Sequence, residues 1–82
     1  MSKREKLLLR LNNLDTSLHY SELKKLLISY GYTAKETRNG SSHITFRKSG
    51  YLPVTIPRHG DIDKVYIELV KTAIEGGNKY EK

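Results

Sequence analysis

A tight turn signal in the middle of the chain, followed at once by an alternating segment, is typical of two antiparallel strands. Asn39-Gly40 is the strongest short hairpin signal, because both central residues of a type I′ turn need a positive φ angle. After the turn, Ile44 and Phe46 alternate with polar residues. Successive side chains of a strand point to opposite faces, so the pattern predicts a half-buried strand with His43 on the face turned to water.

The flanking segments predict the rest of a three-stranded meander. Tyr32–Thr37 precedes the turn and has mixed β-forming character, and Leu52–Ile56 alternates again after it. Lys48-Ser49-Gly50 supplies the second turn. Pro53 cannot donate a ladder hydrogen bond, so we expect the third strand at an edge of the sheet.

Leucines at helical spacing predict two helices before the strands. In Ser2–Leu14 they form one stripe among Lys and Arg residues, as in a short amphipathic helix. We favour packing of this helix on the domain's own core, with docking to a partner helix as the alternative. After a polar loop at Asn12–Ser17, the spacing returns in Ser21–Tyr30, and Gly31 follows where a left-handed residue would end the helix.

A third helix is predicted after the strands. Asp61 or Asp63 is available to cap its first turn, and Gly76-Gly77 stops it. The polar tail Asn78–Lys82 is expected to fray. The apolar positions that we assign to the buried face of this third helix are Ile62, Val65, Tyr66, Leu69, Val70 and Ala73.

This order of elements predicts an α+β fold in which helices cover one face of a three-stranded antiparallel meander. The organisation is an N-terminal helix and loop at 1–20, a core at 21–75 and a polar tail at 76–82. The covered face would bury Ile44, Phe46, Val54 and Ile56. The opposite face would stay open to solvent with His43, Thr45, Arg47 and Thr55.

Composition indicates a small domain that works on its surface. A domain of 82 residues buries only about 60% of its unfolded surface, which leaves little room for a deep pocket. The formal charge of +6 favours a polyanionic partner, with plain solubility as the alternative. The chain has no cysteine, and its early apolar run Leu7–Leu9 is too short for a membrane span. We therefore expect a cytoplasmic protein with no membrane partner.

Among the histidines, His43 is the strongest candidate for chemistry. Imidazole exchanges protons near neutral pH. Here Gly40 would let a phosphate approach the backbone, while Ser41 and Ser42 offer hydroxyl and amide donors. His59 ranks second, because it lies in a loop after the last strand, where a structural hydrogen bond is an equal explanation.

Metal catalysis and serine nucleophile chemistry fit the sequence poorly. The histidines have no zinc-ligand spacing, and Asp61 and Asp63 are explained by helix capping, so we expect no metal and no other cofactor. The chain has no G-x-S-x-G elbow, and the adjacent Ser42 and His43 of a strand should point to opposite faces.

Acid–base chemistry remains, on a substrate that carries its own nucleophile, as RNA does in its 2′-hydroxyl. A base that removes this proton drives attack on the neighbouring phosphate, and cations stabilise the added charge. The acid that protonates the departing oxygen is left open among His59, Lys35 and Arg58. The charged residues in or beside the strands that we expect to bind RNA are Lys35, Arg38, Arg47, Lys48, Arg58 and His59.

Four blocks of the sequence, in the same order, resemble a HicA-type toxin of a bacterial toxin–antitoxin pair. The resemblance extends over Ser21–Ala73, and the segment before Tyr20 departs from the smaller members of that family. The blocks are Leu23-Lys24-Lys25-Leu26-Leu27, Gly31-Tyr32, Gly40-Ser41-Ser42-His43 and Val54-Thr55-Ile56-Pro57-Arg58-His59-Gly60.

The resemblance implies a fold like the double-stranded-RNA-binding domain, an mRNA interferase activity with His43 as the catalytic residue, and a HicB-type antitoxin that covers the active face. The main alternative is a module of the same fold that binds RNA without cutting it. A third class, a protein whose leucine stripes only bind another chain, leaves the positive charge unexplained. The oligomeric state is left open.

Overall fold

The predicted α+β architecture and element order are confirmed by the structure, a computed structural model that describes residues 2–35, 42–58 and 62–79. These residues form three helices and one antiparallel sheet in which the strands lie side by side in chain order. The elements are α1 (Lys3–Asn12), α2 (Tyr20–Ser29), β1 (Thr33–Lys35), β2 (His43–Arg47), β3 (Val54–Pro57) and α3 (Lys64–Glu75).

Pairing of the strands follows the predicted meander, with β2 in the centre. The second turn is closed by a hydrogen bond of 3.0 Å from the Tyr51 amide to the Lys48 carbonyl, and Gly50 takes a φ of +83° there. Pro53 lies just before β3, an edge strand as predicted. The hairpin turn predicted at Asn39-Gly40 lies outside the described residues.

The core lies between the helices and one face of the sheet. Phe46 at its centre is fully buried, and Leu11 of α1 is as buried as the leucines of α2. Burial of Leu11 confirms the interpretation that the first helix packs on its own domain. The buried face of the sheet is also the predicted one, with Ile44, Phe46, Val54 and Ile56.

The buried face of α3 differs in part from the prediction. Val65 and Leu69, assigned to the core, are 63% and 38% exposed, whereas Ile67 is fully buried. Two apolar rows run along this helix, and the contacts of α3 with α1, α2 and β3 bury the row that contains Ile67 and Val70. Asp63 occupies the N-cap position but makes no side-chain capping bond, and Asp61 lies outside the described residues.

The start of the C-terminal tail is bound rather than frayed, which corrects the prediction for two of its residues. Gly76 ends α3 with a φ of +84°. The Asn78 amide group then donates to the Leu52 carbonyl and to the Tyr32 hydroxyl, each at 2.9 Å, and the Leu52 amide donates back to the Asn78 carbonyl. Lys79 forms a β-bridge with Tyr51. Residues 80–82 lie outside the described part of the chain.

Arg10 joins α1 to the loop and to the start of α2. Its guanidinium donates to Asp15 at 2.9 Å, to Glu22 at 2.6 Å and to Ser17 at 2.9 Å. Hydrogen bonds from Ser17 and then from Arg10 lower the pKa of Asp15 to about 2. The segment before Tyr20 is thus tied to the rest of the fold by apolar packing and by the ion pair between Arg10 and Glu22.

Candidate catalytic site and nucleic-acid interface

The face of the sheet away from the helices carries the predicted site. Because side chains alternate along β2, burial of Ile44 and Phe46 turns His43 and Arg47 to solvent. Between them, Thr45 shares a hydrogen bond of 3.0 Å with Thr55 of β3. The predicted open face is therefore confirmed, and it is flat and polar rather than enclosed.

His43 is exposed at the start of β2, opposite Pro57 of the edge strand. Its Nδ1 lies 3.1 Å from the Ser42 hydroxyl oxygen, and the tautomer of the ring decides which of the two donates. The prediction that Ser42 and His43 point to opposite faces is therefore wrong. Ser42 precedes the strand, so the alternation of the strand does not set its direction.

Two of the predicted RNA-binding cations share this face with His43. Lys35 of β1 pairs with Thr45, which makes it a diagonal neighbour of His43, and such neighbours lie roughly 7–8 Å apart. Arg47 pairs with Thr33. At about 3.3 Å per residue, Arg47 lies roughly 13 Å from His43 along β2. Both cations are exposed.

The other predicted site residues divide into two groups. Arg58 follows β3, is half-buried, and its backbone N–H donates to the Ser42 carbonyl at 2.6 Å, which holds the backbone beside His43. Lys48 follows β2, and its ammonium lies over the rings of Tyr51 and Tyr32. The predicted residues that lie outside the described part of the chain are Arg38, Gly40, Ser41 and His59.

Tyr51, and the buried Tyr32 next to it, are the aromatic residues beside Lys48 that sequence reasoning missed. Tyr51 lines a shallow cleft of about 600 Å³ together with Lys35, Arg47 and Lys48. The available signal was the position of Lys48 and Tyr51 on either side of the tight turn at Ser49-Gly50, which brings the two side chains together.

Two other features of the described residues bear on function. In residues 2–35, 42–58 and 62–79, no three His, Cys, Asp or Glu side chains are grouped so as to hold a metal ion. In the same part of the chain, no helix has both the length and the apolar character needed to cross a membrane. His19, the third histidine of the chain, precedes α2, and its backbone N–H donates to Glu22 at 3.0 Å.

Comparison with known proteins agrees with the motif resemblance. The sequence model described as the HicA toxin of bacterial toxin–antitoxin matches residues 20–72. No curated protein and no solved structure matches the chain significantly, so the likeness to the double-stranded-RNA-binding domain stays a prediction. The family match covers α2, the whole sheet and most of α3, and it includes the open face with His43. The chain therefore belongs to the HicA toxin family of bacterial toxin–antitoxin systems.

Proposed function

We propose that this toxin is a metal-independent endoribonuclease that cleaves mRNA with His43 as its general base. Toxins of this family are generally ribonucleases. The observation that carries the proposal is the exposed His43 imidazole on a face that also presents Lys35 and Arg47, with its Nδ1 engaged by the Ser42 hydroxyl. Such a face meets the two needs of RNA cleavage, which are a proton acceptor and positive charge.

The proposed reaction uses the 2′-hydroxyl of the substrate as its nucleophile. We assign proton removal to the imidazole of His43, which the Ser42 hydroxyl engages at Nδ1. The 2′-oxygen then bonds to the adjacent phosphorus, the bond to the 5′-oxygen breaks, and a 2′,3′-cyclic phosphate remains. Lys35, the nearer of the two cations, stabilises the charge of the transition state, and Arg47 contacts the RNA backbone farther along the same face. Among the candidates for the acid that protonates the 5′-oxygen, Lys35 lies on the same face as His43.

The central test replaces His43 with Ala and uses His19→Ala as the matched control. Because general-base help is worth about 10²–10⁴-fold, cleavage of a long mRNA should fall by at least about 100-fold in the first variant. The His19→Ala variant should cleave normally, since His19 lies at the start of α2 and not on the open face of the sheet. Circular dichroism checks that both variants fold. Retained cleavage in His43→Ala contradicts the proposal.

Three further measurements define the chemistry of the same reaction. EDTA should leave the rate unchanged, because no step uses a metal ion. A substrate with a 2′-deoxy sugar at the cleavage site should stay intact, and products of normal RNA should end in a cyclic or 3′-phosphate. If the wild-type protein leaves RNA intact but shifts it on a native gel, the alternative of a non-catalytic RNA-binding module is supported instead.

A HicB-type antitoxin is the proposed protein partner, and the open face is its proposed binding surface. Membership of a toxin–antitoxin family supports the existence of such a partner. An antitoxin that covers His43 and Arg47 would exclude RNA from the same surface. The purified complex should lose cleavage, and the imidazole proton signals of His43 should shift on its formation. A complex that cleaves RNA at the rate of the isolated toxin would contradict this arrangement.

A further inference from the structure

Lys48 is a cation whose position is set by its neighbours. Its Nζ lies 4.5 Å from the ring centroid of Tyr51 and 5.6 Å from that of Tyr32, both within the range of cation–π attraction. Gly31 packs against the same side chain, since a Cβ at Gly31 would lie 3.5 Å from Cε of Lys48. The aliphatic part of Lys48 is thus covered, and its ammonium is held beside two aromatic rings.

The two tyrosines are themselves fixed by the fold. Tyr32 is 3% exposed, and its hydroxyl accepts the hydrogen bond from Asn78 at 2.9 Å. Its ring centroid lies 6.3 Å from that of Tyr51. Tyr51 is held by the hydrogen bond from its N–H to the Lys48 carbonyl and by its β-bridge to Lys79. A cation that is already ordered loses less conformational entropy when it binds an anion, so this arrangement is suited to binding.

Lys48 contributes to the cleft of about 600 Å³ at the end of the sheet distant from His43. Lys35 and Arg47 also line this cleft, so three positively charged side chains meet there. The cleft is continuous with the open face through Lys35 and Arg47, and Arg47, the β2 residue that lines it, lies roughly 13 Å along β2 from His43. At a stacked spacing of about 3.4 Å per nucleotide, this separation corresponds to roughly four nucleotides of a single strand.

We propose that this cleft is a second anchoring subsite, which binds a backbone phosphate of the RNA away from the bond that is cut. Lys48 contacts the phosphate, and Tyr51 and Tyr32 act as positioning residues for its ammonium. The inference rests on the proposed function for the identity of the polyanion. An RNA strand fits better than an acidic protein, because Arg47 and Lys48 continue the line of β2 that starts at His43, and Lys35 of β1 lies beside that line.

Binding to a non-cleavable probe tests the subsite. The probe is a fluorescein-labelled, fully 2′-O-methylated oligouridylate of about 12 nucleotides, which at about 3.4 Å per nucleotide exceeds the 33 Å length of the domain. Fluorescence anisotropy gives its affinity for the wild-type protein and for Lys48→Met, Tyr51→Leu and Tyr51→Phe. Lys64→Met, an exposed lysine in the helical layer, removes the same charge away from the cleft.

We expect Lys48→Met to weaken binding about fivefold and Lys64→Met to leave it almost unchanged. The dependence of log affinity on log salt should become shallower by about 0.7 in Lys48→Met, as for the loss of one phosphate contact to a single strand. Tyr51→Leu should also weaken binding, whereas Tyr51→Phe keeps the ring and should retain the wild-type affinity. In cleavage assays, Lys48→Met should raise KM and leave kcat unchanged.

The outcomes separate this inference from the proposed function. If Lys48→Met binds the probe as tightly as the wild type while mRNA is still cleaved, the subsite is overturned and the ribonuclease stands. If the wild type cuts no RNA but Lys48→Met and Tyr51→Leu still weaken probe binding, the subsite stands and the ribonuclease proposal fails. Should Tyr51→Leu not fold, the Lys48→Met result alone decides.

Discussion

The Tyr20 hydroxyl is buried and has no hydrogen-bond partner among the described residues, and its removal should stabilise the protein. The Tyr20 ring packs 6.3 Å from the Phe46 ring at an angle of 46°, a contact that Tyr20→Phe would keep. A buried polar group without a partner costs about 1–3 kcal/mol. We therefore expect Tyr20→Phe to raise the free energy of unfolding by about 1–2 kcal/mol.

Tyr32→Phe is the matched control, because it removes the same hydroxyl oxygen at a position where that hydroxyl has a hydrogen-bond partner. Asn78 donates to Tyr32 at 2.9 Å, and loss of a typical hydrogen bond costs about 0.5–1.5 kcal/mol. The two substitutions should thus shift stability in opposite directions, with a separation of about 1.5–3.5 kcal/mol. For a domain of this size, 1 kcal/mol corresponds to a change in Tm of about 4–8 °C.

Urea unfolding followed by circular dichroism measures both effects. The midpoints should move apart while the slope of free energy against denaturant stays constant, since neither variant changes the surface that unfolding exposes. Cleavage by Tyr20→Phe should equal that of the wild type, because Tyr20 packs on the face of the sheet opposite to His43. A loss of stability in Tyr20→Phe as large as that in Tyr32→Phe would refute the reasoning, because it would mean that the Tyr20 hydroxyl is satisfied in solution.

Three other predictions address the N-terminal segment, the catalytic histidine and α3. Hydrogen bonds lower the pKa of Asp15 from 3.8 to about 2, so its contribution to stability is present above pH 3.8 and is lost as the pH falls towards 2. The stability difference between wild type and Asp15→Asn, measured by thermal melts, should therefore shrink over that interval. A difference that stays constant would contradict this prediction. Ser42→Ala should slow single-turnover cleavage by about 2–10-fold, the kinetic equivalent of one hydrogen bond, whereas Ser42→Thr keeps the hydroxyl and the rate. In urea unfolding, Ile67→Ala should lower the free energy of unfolding by about 2–5 kcal/mol, whereas Leu69→Ala, at an exposed position, should lower it by less than about 1 kcal/mol. Equal losses would contradict the observed orientation of α3.

The faces of β2 could be predicted from the sequence, but the buried row of α3 could not. Alternation along a strand leaves two faces, and only one of them in β2 is apolar, so burial of Phe46 and exposure of His43 follow directly. On α3 both the row with Ile67 and the row with Val65 and Leu69 are apolar. Local periodicity cannot choose between two such rows, and packing against α1, α2 and β3 makes the choice.

Two parts of the site depend on contacts that local sequence does not encode. Asn78 reaches Tyr32 across 46 positions of the chain, and through it the tail holds the ring beside Lys48. The contact between Ser42 and His43 occurs where β2 begins, so the alternation rule does not apply to Ser42. The sequence indicated Ser42 as a hydroxyl donor, but it placed Asn78 in a tail that was expected to fray. Their partners followed only from the fold.

The two faces of the sheet separate stability from chemistry, and this decides which variants give a clean functional result. His43 and Arg47 point to solvent, so their removal leaves no cavity in the core, and loss of cleavage in such variants reports on chemistry. Lys48 differs, because its side chain covers Gly31 and two aromatic rings. Arg58 differs as well, because it is half-buried. Functional effects at these two positions therefore require a stability measurement before they are assigned to RNA binding.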